Sequence, residues 1–290
     1  MQVIRDIDTL HAWRRSRTEA GETVALVPTM GYLHEGHLSL CRIAASHADR
    51  VVATIFVNPT QFGPNEDFES YPRDEGADIV KLAENGVHCV FLPTVDMMYP
   101  TGYDTFVEVQ GLTAPLCGAS RPGHFRGVTT IVCKLFHLVQ PNVAVFGLKD
   151  YQQYLVIRKM VQDLLMDIQV VGGPIVRDLD GLALSSRNAY LSPRGREAAT
   201  VLYRGLTAAR EAYEAGERDP RVLREVALAP IQAEPLARVD YVEVLDAETL
   251  GEARPDRPMV VAMAVFVEKP RLIDNLVLGG SPGGRSEEPG

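Results

Sequence analysis

Two histidines three residues apart, His34 and His37, stand in the stretch Val24–Leu40, VALVPTMGYLHEGHLSL. An imidazole at the start of a helix can donate a hydrogen bond to a phosphoryl oxygen as negative charge grows in a transition state. The first turn of a helix also carries unpaired N–H groups and a partial positive charge, which together favour phosphate. Gly36, between the two rings, has no side chain and lets a flat base or ribose lie against the backbone. The same histidines can instead be ordinary surface or capping residues, and the rest of the chain has to decide.

Three further groups have the types that such chemistry needs. Asn58-Pro59-Thr60-Gln61 offers side-chain amides, which both donate and accept hydrogen bonds. Gly147-Leu148-Lys149-Asp150 brings a cation beside a carboxylate, with Gln153 following. Leu184-Ser185-Ser186-Arg187 places two hydroxyls before a guanidinium, a set able to wrap a polyphosphate. The alternative for the last group is a capped turn with a surface arginine. A loop at 121–127, Arg-Pro-Gly-His-Phe-Arg-Gly, holds two arginines and a histidine.

The elements that must position these residues can be read from periodicity. Val24–Val27 is a short apolar run suited to a strand buried on both faces, and Pro28 predicts the end of its ladder. Leu38, Leu40, Ile43 and Ala44 then repeat at helical spacing, so His34 and His37 fall at a loop-to-helix junction. An amphipathic helix is expected over Ile4–Arg17. Further buried strands are expected over Val51–Val57, Val87–Leu92, Val143–Phe146 and Ile168–Val171. Helices are expected over Pro72–Asn85, Val128–Val139 and Tyr151–Met166, and an extended segment over Thr105–Leu112. Strands alternating with helices imply an α/β fold with a Rossmann-like, doubly wound parallel sheet. Ligands of such sheets gather at the carboxyl ends of the strands, so the loops at His34–His37, Asn58–Gln61 and Lys149–Gln153 should converge.

The pattern changes after Gly172-Gly173-Pro174, a plausible hinge. A long helix is expected from Ser192 through Arg218 and a second over Arg221–Gln232. The segments Val239–Val244, Met259–Val267 and Leu272–Leu278 read as strands. This predicts a Rossmann-like domain over residues 1–175, a smaller α+β lid domain over 176–280 and a disordered tail over 281–290.

Composition narrows the partners. Of 290 residues, 46% are hydrophobic and 23% charged, ordinary values for a globular protein. A formal net charge of −9 argues against nucleic acid. No apolar run is long enough to span a membrane, and the charged N-terminal stretch reads as a cytoplasmic protein's. The four cysteines, Cys41, Cys89, Cys117 and Cys133, form no close pair and read as small buried hydrophobes.

The segments PTMGYLHEGH, FVNPTQFGPNEDFESYPR, GHFRGV, FGLKDYQQ and DGLALSSRN, in this order, closely resemble the pantothenate synthetase (pantoate–β-alanine ligase) family. That family belongs to the HxGH nucleotidyltransferases, related to the class I aminoacyl-tRNA synthetases. The likeness runs from about Thr9 to Leu278. It implies condensation of pantoate with β-alanine through a pantoyl adenylate, with release of AMP and pyrophosphate. It implies ATP as a substrate, Mg²⁺ on its β,γ-phosphates, and a homodimer. It implies that Met30, Gly31, Tyr32, Leu33, His34, Glu35, Gly36 and His37 line the ATP site. Gly147, Leu148, Lys149, Asp150, Val176, Leu184, Ser185, Ser186 and Arg187 would complete that site. His37, His34 and Lys149 would act on the phosphates in catalysis, and Gln61, Gln153 and Asn58 would hold pantoate. The Ser185–Arg187 loop would be mobile and swing over the phosphates about the Gly172–Pro174 hinge. The chain departs from the family pattern at Leu148, usually Glu, and at Leu184, usually Met, positions expected to act through backbone. The metal's ligands are not identified by the resemblance; Asp78 is a candidate, its alternative being a solvated helix residue. Two other functions share these residues: a nucleotidyltransferase whose product keeps the nucleotide, and a non-catalytic nucleotide sensor.

Overall fold

The computed structural model describes residues 1–64 and 66–280. The expected tail over 281–290 lies outside them. The chain divides into two compact units. Among the described residues, the first comprises 1–114, 121–147 and 153–173, and the second comprises 115–120, 148–152 and 174–280.

The first unit is an α/β fold around a six-stranded parallel sheet. Its strands are β1 (Gln2–Ile4), β2 (Val24–Thr29), β3 (Arg50–Ile55), β4 (Cys89–Phe91), β5 (Val143–Gly147) and β6 (Gln169–Gly173). Their spatial order is β1-β4-β3-β2-β5-β6. The chain therefore winds outward from β2 in one direction and from β5 in the other, and the switch point falls between those neighbours. Helices α1 (Ile7–Glu19), α2 (Glu35–Ala45), α3 (Glu75–Glu84) and the short α4 (Val95–Met98) belong to the first half. The one-turn α5 (Cys117–Ser120) belongs to the second unit, and α6 (His124–Val139) and α7 (Tyr151–Asp163) follow. One core face joins Ala25, Val27, Val51, Ala53, Val90, Val143 and Val145 of the sheet to Leu40, Cys41 and Ala44 of α2, all buried.

The second unit carries a three-stranded antiparallel sheet, β7 (Ala237–Asp246), β8 (Met259–Val267) and β9 (Arg271–Leu278), in that order. It is packed by α8 (Pro193–Ala198), α9 (Val201–Glu214) and α10 (Pro220–Gln232). The fold class is thus the one the periodicity predicted.

Several local expectations are corrected. Pro28 does not end β2, which continues in register to Thr29 opposite Ile55. Residues 24, 26 and 28 face β5, and that pairing already stops at Leu26, so proline's missing N–H costs no ladder bond. The stretch 124–127 is the first turn of α6 rather than a loop, started by Gly123 at φ 81°. The long helix expected from Ser192 is broken at Ala199–Thr200. There the Thr200 N–H and hydroxyl both donate to the Glu197 carbonyl, a tighter turn than the α-helix allows. The three-residue β1, too short to show a period, pairs with β4 and buries Ile4.

Candidate active site

Strands β3, β2 and β5 are neighbours, so the chain leaves one sheet edge at Ile55, Thr29 and Gly147. After β2 the backbone turns through Gly31 (φ 82°) and Tyr32 (φ 50°), then enters α2 with His34 as its N-cap. The His34 Nδ1 accepts from the Gly36 N–H at 3.1 Å, and the His37 Nδ1 accepts from the His34 N–H at 3.3 Å. This is a capping box built from two imidazoles in place of the usual hydroxyl and carboxylate. The consequence is chemical. An accepting Nδ1 carries no proton, so in each neutral ring the proton sits on Nε2, the nitrogen that can donate to a ligand. The ring centroids lie 4.1 Å apart with planes inclined by 42°, and both rings are half-buried.

Asp78 is not a solvated helix residue. It is 1% exposed, and its two carboxylate oxygens accept the N–H groups of Tyr32 and Leu33, each at 2.7 Å. Among the described residues, no group of three or more His, Cys, Asp or Glu is arranged to hold a metal.

After β3, Asn58 caps the 3-10 turn Pro59–Gln61. Its side chain is 1% exposed and is taken up within the protein. Its Nδ2 donates to the Gln61 Oε1 (3.0 Å) and to the Gly127 carbonyl (3.1 Å). Its Oδ1 accepts from the Tyr99 hydroxyl (2.8 Å) and the Thr60 hydroxyl (3.0 Å). Gln61 in turn donates from Nε2 to the Met30 Sδ at 3.1 Å, so the loops after β2 and β3 meet there. Helix α6 supports this turn from below. A Cβ on Gly127 would collide with the Thr60 carbonyl oxygen, so only glycine permits the approach.

The arginines and histidine of 121–126 divide their work. Arg121 forms a bidentate pair with Glu66, both contacts at 2.6 Å, and also donates to the Gln61 carbonyl at 3.2 Å. The His124 Nδ1 lies 2.8 Å from the same carbonyl. Arg126 stacks over Phe106 instead. Burial alone would raise the Glu66 carboxyl, but the guanidinium hydrogen bonds and charge outweigh it and hold the group below the usual carboxylate range. Gln153 lies half-buried in the first turn of α7.

The remaining predicted residues belong to the second unit, apart from Gly147. Lys149 and Asp150 lie in a 3-10 turn, Leu148–Asp150, whose Leu148 and Lys149 carbonyls both accept from the buried Asn275 Nδ2 at 2.9 Å. Leu148 is buried, and its carbonyl is taken up within the protein by Asn275. Residues 176–184 form a hairpin: Leu184 N–H donates to the Val176 carbonyl at 3.0 Å, and Arg177 bridges Ala183. Arg177 also pairs bidentately with Asp274 at 2.6 and 2.8 Å. The hairpin delivers Ser185 as cap of a second 3-10 turn, Ser186–Tyr190, where its hydroxyl accepts the Arg187 N–H at 3.3 Å.

The four cysteines are buried and unpaired with one another. Burial pushes the Cys41 and Cys89 thiols up to about 12, which fits inert packing groups.

A family model described as pantoate-beta-alanine ligase matches residues 2–277. The chain belongs to the pantoate–β-alanine ligase family. It is accordingly an enzyme of the ligase class. Among curated relatives, the pantothenate synthetase of Heliobacterium modesticaldum is 55% identical over 286 residues, covering 96% of this chain and 99% of that one. That of Geotalea uraniireducens is 54% identical over 280 residues, with the same coverage. Among solved structures, the pantothenate synthetase of Thermus thermophilus superposes with a TM-score of 0.88 at 47% identity, covering 95% of this chain and 99% of its own. The pantoate-β-alanine ligase of Francisella tularensis, complexed with β-γ ATP and β-alanine, gives 0.78 at 32% identity, covering 97% and 99%. No helix among the described residues is long and apolar enough to cross a membrane.

What the sequence reading missed are the anchoring role of Asp78 and the supports Lys81, which donates to the Leu33 carbonyl at 2.7 Å, Tyr99, Glu66 and Asn275. Each acts on a residue far away in the chain, and none forms a local pattern with its target.

Proposed function

We propose that the ligase works in two steps through an acyl adenylate. A pantoate carboxylate oxygen attacks the α-phosphorus of ATP, and the bond from that phosphorus to the bridging oxygen of the β-phosphate breaks. Pyrophosphate leaves. The β-alanine amine then attacks the acyl carbon, AMP departs with the oxygen that joined them, and the nitrogen loses a proton to give pantothenate. A bare carboxylate oxygen is a poor leaving group, and the adenylate makes it a good one.

The observation that carries this reading is the imidazole capping box. With both Nδ1 atoms turned inward, His37 offers Nε2–H to an α-phosphoryl oxygen, and His34 offers the same to a neighbouring one. The nucleophile is already ionised, so His37 needs to stabilise charge rather than remove a proton. Lys149 and Arg187 neutralise the polyphosphate, with the Ser185 and Ser186 hydroxyls beside them. Met30–His37, Gly147, Asp150, Val176 and Leu184 complete the nucleotide contacts, in part through backbone. Gln61 holds pantoate with the face of its amide that Asn58 leaves available, and Gln153 holds it with a second amide. Asn58, its own groups engaged, serves this pocket by orienting Gln61. Bound with ATP, Mg²⁺ would supply charge neutralisation on the β,γ-phosphates, beside Lys149 and Arg187.

The deciding experiment incubates the enzyme with ATP and pantoate, with and without β-alanine, followed by mass spectrometry and pyrophosphate exchange. Pantoate-dependent exchange without β-alanine, and pantothenate with AMP when it is added, are expected. Exchange that requires β-alanine would remove the adenylate. A product that keeps the nucleotide would point to the transferase alternative. Equilibrium sedimentation tests the expected homodimer.

A further inference from the structure

The turn that aims the two imidazoles is built from a costly conformation. Gly31 and Tyr32 are successive residues in the left-handed region, and Tyr32 has a side chain that disfavours it. The turn they make brings the N–H groups of Tyr32 and Leu33 onto one anion. That anion belongs to the protein. The Asp78 carboxylate, 1% exposed, accepts from Tyr32 and Leu33 at 2.7 Å each. One turn further along α3, the Lys81 Nζ donates to the Leu33 carbonyl at 2.7 Å. Helix α3 thus holds the three successive peptide groups that lead into the N-cap His34, two by their N–H and one by its carbonyl. There is no slack on the other side: a Cβ on Gly31 would lie 3.0 Å from Asp78 Oδ2 and 2.9 Å from Ile55 Cγ2.

We propose that Asp78, assisted by Lys81, is a positioning residue for adenylate formation, acting through the 31–34 turn on His37. This rests on the functional reading above. A reacting group displaced by about 1 Å can cost on the order of a hundredfold in rate. An Asp78→Asn side chain keeps the shape but turns an N–H₂ toward a backbone N–H, so the turn loses one of its two anchors without loss of packing.

The test combines kinetics with amide hydrogen exchange on the intact enzyme. Asp78→Asn is expected to lower the rate constant of pantoate-dependent pyrophosphate exchange about ten- to a hundredfold, leaving the KM for β-alanine within about twofold. Lys81→Met should lower it by a smaller factor, and Glu84→Gln, on the exposed side of α3, should leave it unchanged. In a His37→Ala background, Asp78→Asn should cost little further, because the two act in one chain. Amide exchange over residues 31–38 should rise in both anchor variants while that of β2 stays protected. A full additional loss in the His37→Ala background, or unchanged exchange over 31–38, would overturn the proposal. If the wild type gives no adenylate, the functional reading falls, and the exchange data still decide whether Asp78 holds the turn. Should Asp78→Asn fail to fold, Lys81→Met carries the same comparison.

Discussion

The loops after β2 and β3 leave neighbouring strands of one sheet and are made rigid in different ways. The first is held through its backbone: Asp78 takes two N–H groups, Lys81 one carbonyl, and two histidine rings cap the helix that follows. The second is held at its side chain as well: Asn58, itself bonded by Tyr99, meets the Gln61 amide, while Arg121, paired with Glu66, and His124 meet the Gln61 carbonyl. The contrast matches the roles proposed for the two loops. A group that stabilises charge at one phosphorus must be fixed in place, and backbone anchors give that with few atoms. An amide that recognises a hydroxylated acid must present one chosen face, and a network of neighbours selects the face.

The largest expected effect falls on the first loop. His37→Ala should lower the rate constant of pyrophosphate exchange about a hundredfold or more, the scale of losing an oxyanion-type donor. An unchanged rate would mean the ring is only a cap. The second loop should respond in binding instead. Gln61→Ala should raise the KM for pantoate roughly tenfold or more, the worth of a hydrogen bond to a charged group, while the Kd for ATP holds. Equal effects on both ligands would erase the distinction between the loops. Gly127→Ala forces the Pro59–Gln61 turn off α6. It should destabilise the fold by about 1–3 kcal/mol by overpacking, seen in thermal melts, and raise the pantoate KM as well.

A smaller effect concerns acid. Glu66 is held below its ordinary pKa, so its contribution is fully present above the unfolded value and is lost as pH falls through the folded one. Wild type should therefore lose pantoate affinity and stability in that acidic window, and Glu66→Gln should flatten the profile. The smallest effect is an absence of reaction. Cys41 and Cys89, with thiols pushed up to about 12, should resist alkylation near neutral pH unless the protein is unfolded.

Much of the fold was legible because its signals are local. Unbroken apolar runs such as Val24–Val27 and Val143–Phe146 announced buried parallel strands, and the helical repeat after His37 placed both rings at a helix start. Boundaries failed where a distant partner decided them. Pro28 reads as a stop because it lacks an N–H, and it is none because the pairing on its side has already ended; the stretch 124–127 reads as a loop, yet it opens α6 with His124 against the distant Gln61 carbonyl.

By itself the sequence determined which residue types were available, the alternation that makes a doubly wound sheet, and the family motifs. Those depend on neighbours a few positions apart. Only the tertiary structure decided that Asp78 is an anchor, that Asn58 serves Gln61, and that both imidazoles keep their protons on Nε2. Each of these is a hydrogen bond whose partner is fixed by how loops and helices meet in space, and a buried polar group must find that partner or pay for its desolvation.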